Sequence, residues 1–324
     1  MYTSDKILEF IRQRGEARAI EIKREFGYSR VFVHRELAKL LKESRVAKSG
    51  TPPRVFYSIS EKTNNPIDTS TLDKDTQKFI ESNYLYITPT GDILEGVEAF
   101  RFWCDKTKQN FVKTAGEYIK TLKIYYKLKK EDLIDGTYKF KNTFEDLGLD
   151  KVFYLDFYSI ERFGKTKLGQ TLLYAKQSQN ENLMNNLVKE IKPKIIKLIE
   201  KYQIDAICYI PPTVKREIQF MNVLEMNLNL NTPKINIVKT KEKLLIPQKT
   251  LNKLEDRILN AKKTIIVNDT RIFNNILIVD DAVGSGATLN ETALRIKSKK
   301  LCTGKIYGLA IVGSFKGFEV ISEV

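Results

Sequence analysis

The sequence predicts an α/β protein, in which a mostly parallel sheet with helices on both faces follows a small α+β domain. From residue 151 onward, short apolar segments that read as strands alternate with amphipathic segments that read as helices. The first 60 residues instead read as three short helices and a hairpin. A polar stretch at 61–75, with Pro66 and several Asn and Thr, separates the two patterns and reads as a linker.

Length and composition allow two or three domains. The chain has 324 residues, 42% of them hydrophobic, which is enough for a sizeable core at roughly 100 to 200 residues per domain. We therefore predict an N-terminal domain at 1–60, a linker at 61–75, a middle region of unknown role at 76–150 and an α/β domain at 151–324.

The N-terminal domain is predicted to contain three helices and then two strands, at 5–14, 19–26, 30–43, 45–48 and 55–59. In the third helix, Val33, Leu37 and Leu40 recur at helical spacing, and Ser29 is a candidate N-cap. In the middle region, lysines alternate with aromatic residues at 113–130. Such residues could stack on bases. However, the apolar positions in this stretch recur at the spacing of an amphipathic helix, at Tyr118, Leu122, Tyr125 and Leu128.

The α/β domain is predicted to contain seven strands, at 152–160, 172–175, 205–210, 235–238, 264–267, 276–279 and 306–312. Its predicted helices lie at 185–202, 215–228 and 289–299. Ligands of such folds bind at the carboxyl ends of the parallel strands.

The strongest functional signal follows the apolar strand at 276–279. Two carboxylates, Asp280 and Asp281, end this strand, and a loop of small residues at 284–288 leads into a helix. Backbone N–H groups and the positive end of the helix dipole suit a phosphate group. A bulky residue at Gly286 is expected to block the phosphate. Because neighbouring strand residues point in opposite directions, one aspartate would face a ribose diol and the other would face solvent, metal-bound water or protein.

This segment has three other interpretations. An apolar strand ending in Asp-Asp also occurs in Walker B elements, but the chain has no GxxxxGK[ST] motif. A dinucleotide fold needs GxGxxG with a later acid, whereas here the acids come first. The third interpretation stays open, because Thr288 with Glu291 also forms a capping-box pattern that would start a helix.

Composition excludes several kinds of site. With His34 as the only histidine, Ser-His-Asp triads and His-ligated zinc sites are not expected. The three cysteines are isolated and predict neither a disulfide framework nor a metal site. No signal peptide or membrane span is evident, so we expect a cytoplasmic protein without a membrane partner. The net charge of +15 favours a polyanionic partner.

The segment ILIVDDAVGSGATL resembles the phosphoribosyl pyrophosphate motif of type I phosphoribosyltransferases. The resemblance implies that the acidic pair holds the ribose hydroxyls and the loop holds the 5-phosphate. Gly284-Ser285 stands where Thr-Thr is usual, so one hydroxyl ligand is missing. The residues implied for this part of the site are Asp280, Asp281, Ala282, Val283, Gly284, Ser285, Gly286, Ala287 and Thr288.

Other segments at 168–312 resemble the ComF branch of that family. TLLYAKQS resembles its lysine-bearing segment and assigns Lys176, and YIPPTVKREIQF resembles its pyrophosphate loop. Arg257 belongs to the Q-x-x-L…R-x-x-N pattern formed with Gln248, Leu251 and Asn260, whereas the Arg-Gly-Phe-Asn-Gln run is not kept. The ligand contacts that this adds are Pro211, Pro212, Lys215, Arg216 and Arg257. If the domain is active, the catalytic residues would be Asp280, Asp281, Lys176 and Arg216.

The N-terminal domain resembles a winged helix-turn-helix domain, with RVAKSGTPPRVFYSI as the wing. Residues 1–62 contain 14 Lys and Arg against 8 Asp and Glu, so a duplex DNA partner is expected. Such a domain can also be a protein–protein module. The predicted DNA-binding residues are Ser29, Arg30, His34, Arg35, Lys48 and Arg54.

Two classes of function follow from these resemblances. In the first, the chain is a ligand-responsive DNA-binding regulator that binds phosphoribosyl pyrophosphate or a nucleotide. In the second, it is an active Mg²⁺-dependent phosphoribosyltransferase or effector, acting on a nucleobase, nucleotide or nucleic acid, and resembles retron-associated defence effectors in architecture. In the second class Mg²⁺ would enter together with phosphoribosyl pyrophosphate. No residue is assigned as a direct metal ligand, and Asp280 or Asp281 would hold the ion through water. The acceptor is not identified, and a homodimer is left open.

Overall fold

The structure is a computed structural model that describes residues 3–43, 45–49, 55–59, 72–88, 91–214, 216–240 and 253–314. The chain divides into two compact units, Met1–Ile119 and Lys120–Val324. The predicted boundary at residue 151 falls inside the second unit, because two short strands before it join the main sheet. None of the helices in the described part of the chain combines the length and apolar character that crossing a bilayer requires.

The first unit begins with three helices and a three-stranded antiparallel sheet. These elements are α1 (Thr3–Arg14), β1 (Glu16–Ala17), α2 (Ala19–Phe26), α3 (Arg30–Lys42), β2 (Val46–Ser49) and β3 (Phe56–Ile59). The strand order is β1-β3-β2, and β1 is the one element here that was not predicted. Ile7, Ile11, Leu37 and Leu40 from the helices are buried in one core, as the helical spacing of the apolar residues predicts.

The remainder of the first unit is α4 (Lys74–Asn83), β4 (Leu85–Ile87), β5 (Ile93–Glu95), α5 (Gly96–Lys106) and the start of α6 (Phe111–Lys127). Tyr84 makes edge contacts with the rings of Phe100 and Tyr118, at centroid distances of 4.9 and 5.3 Å. Tyr118 is buried in this cluster, so the helix-packing interpretation of 113–130 is confirmed. Leu128, predicted on the same face, is exposed because α6 has already ended.

The strands of the second unit are β6 (Lys129–Lys130), β7 (Leu133–Asp135), β8 (Lys151–Phe157), β9 (Ala206–Tyr209), β10 (Ile237–Lys239), β11 (Ile265–Val267), β12 (Ile276–Val283) and β13 (Ile306–Gly313). The remaining helices are α7 (Thr137–Thr143), α8 (Lys167–Ser178), α9 (Glu181–Lys201), α10 (Phe220–Leu228), α11 (Leu254–Thr264) and α12 (Ala287–Ser298). Six strands form one sheet in the order β6-β7-β8-β13-β12-β9. Strands β8, β13, β12 and β9 are parallel, and β6 and β7 are antiparallel. The predicted mixed α/β architecture is therefore confirmed.

Helices cover both faces of the main sheet. Leu277 and Val279 of β12 belong to one core cluster with apolar residues of α8, α9 and α10. On the other face, a Cβ placed on Gly308 of β13 would lie 3.6 Å from a methyl group of Leu289 in α12. The carboxyl ends of the four parallel strands therefore lie along one edge of the sheet, between the two helical layers.

The predicted strand at 172–175 is wrong, because these residues lie in α8. The Thr166 hydroxyl caps this helix by accepting from the N–H of Gly169 at 3.0 Å. Leu168, Leu172 and Ala175 are buried at helical spacing. A four-residue apolar run fits either a strand or a buried helix, and here the preceding cap decides for the helix.

The predicted strands at 235–238 and 264–267 exist, but β10 and β11 are not strands of the main sheet, which the first segment contacts only at its start, where the N–H of Ile235 donates to the carbonyl oxygen of Ile207 at 2.8 Å. They form a separate two-stranded antiparallel sheet, β10 with β11. Val238 and Ile266 are exposed whereas Ile237, Ile265 and Val267 are buried, so this small sheet has one solvated face. The predicted helix at 215–228 begins later, at Phe220.

Candidate ligand-binding site

The small-residue loop after β12 leads directly into α12. The strand runs past the two aspartates to Val283, and Gly286 is the residue before the first helical turn, with φ +85°. Helix α12 therefore starts at Ala287 rather than at residue 289, and Thr288 lies inside the first turn. The capping-box interpretation of Thr288 is wrong, because Gly286 occupies the N-cap position.

Gly286 is required for a reason that the sequence did not give. A Cβ at this position would lie 2.4 Å from the ring of Phe140 in α7, which no real contact allows. Its positive φ also disfavours any residue with a side chain. The expectation that a side chain at this position would block the phosphate is therefore wrong, because its Cβ would point toward Phe140 in the protein interior.

The adjacent aspartates have different surroundings. The Nζ atom of Lys176 lies 2.7 Å from Oδ2 of Asp281, and both side chains are largely buried. Asp280 instead accepts a hydrogen bond on Oδ1 from the N–H of Asp281, at 2.8 Å. One carboxylate therefore meets protein, as the alternation of strand residues predicts.

The electrostatic environment of Asp280 favours its protonated form. Burial, together with the adjacent Asp281 carboxylate, raises the pKa of Asp280 to about 7, and the ammonium groups of Lys239 and Lys176 partly offset this rise. Burial also lowers the pKa of Lys239, while the charges of Asp280 and Asp281 oppose that shift. The acidic pair thus carries less than two full negative charges near neutral pH.

A cleft opens beside the acidic pair, at the carboxyl ends of β9 and β12. It brings together residues from three separate segments of the chain, namely Lys176, Pro211, Pro212, Arg216, Asp280, Asp281, Ala282 and Thr288. The turn that follows β9, the end of β12 and the first turn of α12 all line it. The cleft lies where α/β folds bind their ligands.

Several of the predicted site residues are not among the described residues that line this cleft. Val283, Ser285, Gly286 and Ala287 are buried in the loop and the start of α12. A Cβ on Gly284 would lie 3.8 Å from an Nη atom of the buried Arg257, so a guanidinium stands beside the loop instead. Lys215 lies outside the described residues, as do Gln248 and Leu251 of the ComF-like pattern.

The cleft also contains residues that the sequence analysis missed. Lys239, the last residue of β10, donates from Nζ to the Thr213 hydroxyl oxygen at 2.8 Å. Lys239, Thr213 and Gln219 all line the cleft. No motif identifies Lys239, and the one available signal was a cation at the end of an apolar strand.

The segment before β8 makes hydrogen bonds that hold the loop at 284–288 and the start of α12 in place. The buried Asn290 of α12 accepts from the N–H of Gly148 at 2.8 Å and donates to the carbonyl oxygen of Asp146 at 2.9 Å. The Nζ atom of Lys139 in α7 donates to the carbonyl oxygen of Ser314. The N–H of Ser314 donates in turn to the carbonyl oxygen of Val283, at 3.1 Å. Part of the region predicted to have no known role therefore positions the loop.

The predicted DNA-binding residues lie on the first unit. Arg30, His34, Arg35 and Lys48 are exposed. The Ser29 hydroxyl accepts from the N–H of Phe32 at 3.2 Å, which confirms its role as N-cap of α3. Arg54 and most of the predicted wing turn lie outside the described residues.

No protein-family model and no curated protein matches the chain. Solved structures that resemble it include a hypoxanthine-guanine phosphoribosyltransferase from Bacillus anthracis, with 14% identity over 45% of this chain and 75% of that one, at a TM-score of 0.28. A hypoxanthine phosphoribosyltransferase from Staphylococcus aureus has 15% identity over 45% of this chain and 71% of its own, at a TM-score of 0.27. A hypoxanthine phosphoribosyltransferase from Trypanosoma cruzi has 14% identity over 44% of this chain and 71% of its own, at a TM-score of 0.26.

Proposed function

We propose that the second unit binds phosphoribosyl pyrophosphate or a nucleoside monophosphate, and that the first unit binds duplex DNA in a ligand-responsive way. The observation that supports ligand binding best is the convergence of the acidic pair, Thr288 and the turn after β9 in one cleft. The rest of the proposal depends on the sequence resemblances and on exposed basic residues of α3.

The chemistry of the cleft suits a phosphorylated ribose. Carboxylates such as Asp280 accept hydrogen bonds from ribose hydroxyls. The first turn of α12 supplies N–H groups and a partial positive charge for a phosphate, and Arg257 adds a cation beside Gly284. Lys176 neutralises Asp281, so the acidic pair repels an anionic ligand less than two free carboxylates would.

Magnesium is the cofactor that the resemblance implies for an active enzyme. Among the residues that the structure describes, no three His, Cys, Asp or Glu side chains come together as a metal site. Mg²⁺ is commonly held by one or two carboxylates together with substrate phosphates and water, and Asp280 and Asp281 fit that mode. The bound ion would neutralise charge on the departing diphosphate.

Titration calorimetry on the full chain tests ligand binding. Wild type is expected to bind phosphoribosyl pyrophosphate or a nucleoside monophosphate with Mg²⁺ present, and the double variant Asp280→Asn/Asp281→Asn is expected to lose most of that affinity. Asp256→Asn, an exposed acid on α11, is the matched control. Absence of binding by wild type, or equal binding by the double variant, would contradict the proposal.

The DNA-binding part of the proposal rests on the first unit. Its order of three helices and a hairpin, together with the exposed Arg30, His34 and Arg35 on α3, supports groove binding by α3. Fluorescence anisotropy with a pool of duplexes tests this, and a salt dependence is expected because cations on the protein displace counterions from the phosphates. A protein that binds no duplex at 50 mM salt would not be a DNA-binding regulator.

An active phosphoribosyltransferase or defence-type effector is the alternative. Arg216 and Lys239 line the cleft and make no ion pair with another described residue, so they favour a ligand whose negative charge grows as pyrophosphate leaves. Pyrophosphate release, measured with Mg²⁺ across a panel of nucleobases, nucleotides and nucleic acids, distinguishes this function. Turnover with any acceptor would replace the regulator as the main proposal.

A further inference from the structure

A second cavity of the second unit lies against β6 and β7, at the edge of the main sheet opposite β9. Its volume is about 660 Å³, which falls within the range of roughly 300 to 1,000 Å³ of pockets that hold small ligands. The end of α6, the first turn of α7, strand β8 and the end of α9 complete its lining. It shares no lining residue with the cleft beside the acidic pair, so it is a separate candidate site.

Cations outnumber acids in the lining of this cavity. The charged residues there are Lys127, Lys130, Lys139, Lys201, Glu131 and Asp135. Lys201 pairs with Glu131 at 2.5 Å, and Asp135 accepts a backbone N–H at 2.8 Å. Lys127 and Lys130 are exposed and form no ion pair with another described residue. The cavity therefore has more positive charge than its own carboxylates neutralise.

Lys139 is the least exposed of these four lysines. Its ammonium group donates to the carbonyl oxygen of Ser314, and the residues that the structure describes accept none of its other N–H donors, of which a lysine has three in all. Burial lowers the pKa of Lys139 to about 8, and no neighbouring charge offsets this effect. An anion from outside the protein would therefore stabilise the charged form of this lysine.

Aromatic rings lie beside these cations. Tyr138, which precedes Lys139 in α7, is 78% exposed and makes no ring contact with another described residue. Tyr154 also lines the cavity, and the Nζ atom of Lys139 lies 5.9 Å from the centre of its ring. An uncovered tyrosine ring can stack on a base, and lysines beside it suit a phosphate. The lining thus fits a ligand that combines a planar ring with negative charge.

We propose that this cavity binds a nucleoside 5′-phosphate, with the phosphate at Lys139 and the base against the ring of Tyr138. Lys127 and Lys130 add to the attraction of the phosphate. The inference goes beyond the proposed function and does not depend on it, because none of its residues lines the cleft. A nucleoside lacks the charge and inorganic phosphate lacks the ring, so each should bind less tightly than the nucleotide.

Calorimetry on the full chain with the four ribonucleoside 5′-monophosphates tests this inference. The double variant Asp280→Asn/Asp281→Asn serves as the starting protein, because its cleft is expected to bind poorly and the heat then reports on the cavity. At least one of the four nucleotides is expected to bind this protein with one site per chain. The matching nucleoside and inorganic phosphate should each bind about 10-fold more weakly or worse.

Further substitutions in the same protein locate the site. Lys139→Met should weaken nucleotide binding about 10-fold to 100-fold, and Tyr138→Ala about 5-fold or more. Tyr138→Phe keeps the ring and should stay within about 3-fold. Because Lys139→Met also removes the bond to Ser314, Lys130→Met is measured as a second variant and should weaken binding about 3-fold. Lys189→Met, an exposed lysine on α9 that lines neither cavity nor cleft, should have no effect.

The outcomes separate this inference from the proposed function. If the cleft binds nothing, wild type and the double variant should bind the nucleotide alike, and the cavity inference stands alone. If the double variant binds none of the four nucleotides, or if Lys139→Met and Tyr138→Ala both leave the affinity unchanged, the inference is overturned whatever the cleft does. Binding of a short single-stranded oligonucleotide without binding of any mononucleotide would also overturn it, in favour of a nucleic-acid surface.

Discussion

Lys176 of α8 forms a salt bridge with Asp281 at the end of β12, with 2.7 Å between Nζ and Oδ2. The lysine side chain is 13% exposed and the aspartate side chain 21%. Such a partly buried pair connects a helix to the strand end that carries the candidate site. Losing one partner leaves the other charge largely desolvated, which costs more than losing a surface pair.

Lys176→Met is therefore expected to lower the free energy of unfolding by about 1 to 3 kcal/mol. Lys176→Met/Asp281→Asn should recover part of that loss, because no unpaired charge remains. Urea unfolding followed by circular dichroism measures both. The exposed pair of Lys201 with Glu131 provides the control, since Lys201→Met should change stability much less than Lys176→Met does. Equal effects at the two lysines would contradict this account.

Replacing Gly286 with alanine should destabilise the second unit for two separable reasons. The positive φ costs about 1 kcal/mol for a residue with a side chain, and the contact with Phe140 adds to it. Phe140→Leu has its own cost because Phe140 is buried, so Gly286→Ala is also measured in that background, where it should show the φ cost only. Gly27, with φ +67° and open space around it, is the matched control, and Gly27→Ala should show the φ cost alone. Calorimetric melting measures all three.

The raised pKa of Asp280 predicts a pH dependence of stability. An unfolded aspartate titrates near pH 4, whereas in the folded chain the pKa of Asp280 is raised to about 7. Between these values the folded protein binds the extra proton, so this group's contribution to stability falls as pH rises from about 4 to 7. Asp280→Asn should therefore stabilise the protein at pH 8, by up to about 4 kcal/mol for a shift of about three pKa units, and have little effect at pH 4. An equal effect at both pH values would disprove the assigned shift.

The basic residues of the first unit should have two different effects on DNA binding. Lys48→Gln should weaken binding to all duplexes and reduce the salt slope by about one unit, as a phosphate contact does. Arg30→Ala or Arg35→Ala should reduce preference among sequences by roughly 1 to 3 kcal/mol if the contact is to a base. Lys78→Gln, an exposed lysine on α4, should change neither quantity. Anisotropy titrations at several salt concentrations distinguish these outcomes.

Coupling between ligand and DNA, if the chain is a regulator, must be reciprocal. A ligand that changes the DNA affinity by some factor must have its own affinity changed by DNA by the same factor. Titrating DNA at several concentrations of phosphoribosyl pyrophosphate, and that ligand with and without DNA, gives two factors that should agree. A DNA isotherm that saturating ligand leaves unchanged would favour the effector function over the regulator.

The sequence predicted best those features that depend on neighbouring residues. The helix cap at Ser29, the apolar strand before Asp280 and the acidic pair all follow from local spacing. Lys176 and the turn after β9 were assigned through family resemblance, and the fold brings them to one cleft with the acidic pair.

Features that depend on distant pairing could not be predicted in this way. Nothing near Gly286 in the sequence indicates Phe140, which precedes it by more than a hundred residues. The position of Lys239 depends on β10 pairing with β11 rather than joining the main sheet. Short apolar runs do not specify which sheet a strand enters, so the lysine's place over the cleft became evident only with the topology.

Strand β13 lies in the middle of the main sheet, between β8 and β12, although every other strand of that sheet precedes it in the chain. During synthesis, β8 and β12 therefore leave the ribosome with one edge each unpaired until residues 306–313 follow. Exposed strand edges of this kind favour aggregation, and pairing between distant segments is slow. A nascent chain arrested before residue 306 should consequently be a better chaperone substrate than one arrested after residue 313, even though both contain the complete acidic pair and loop.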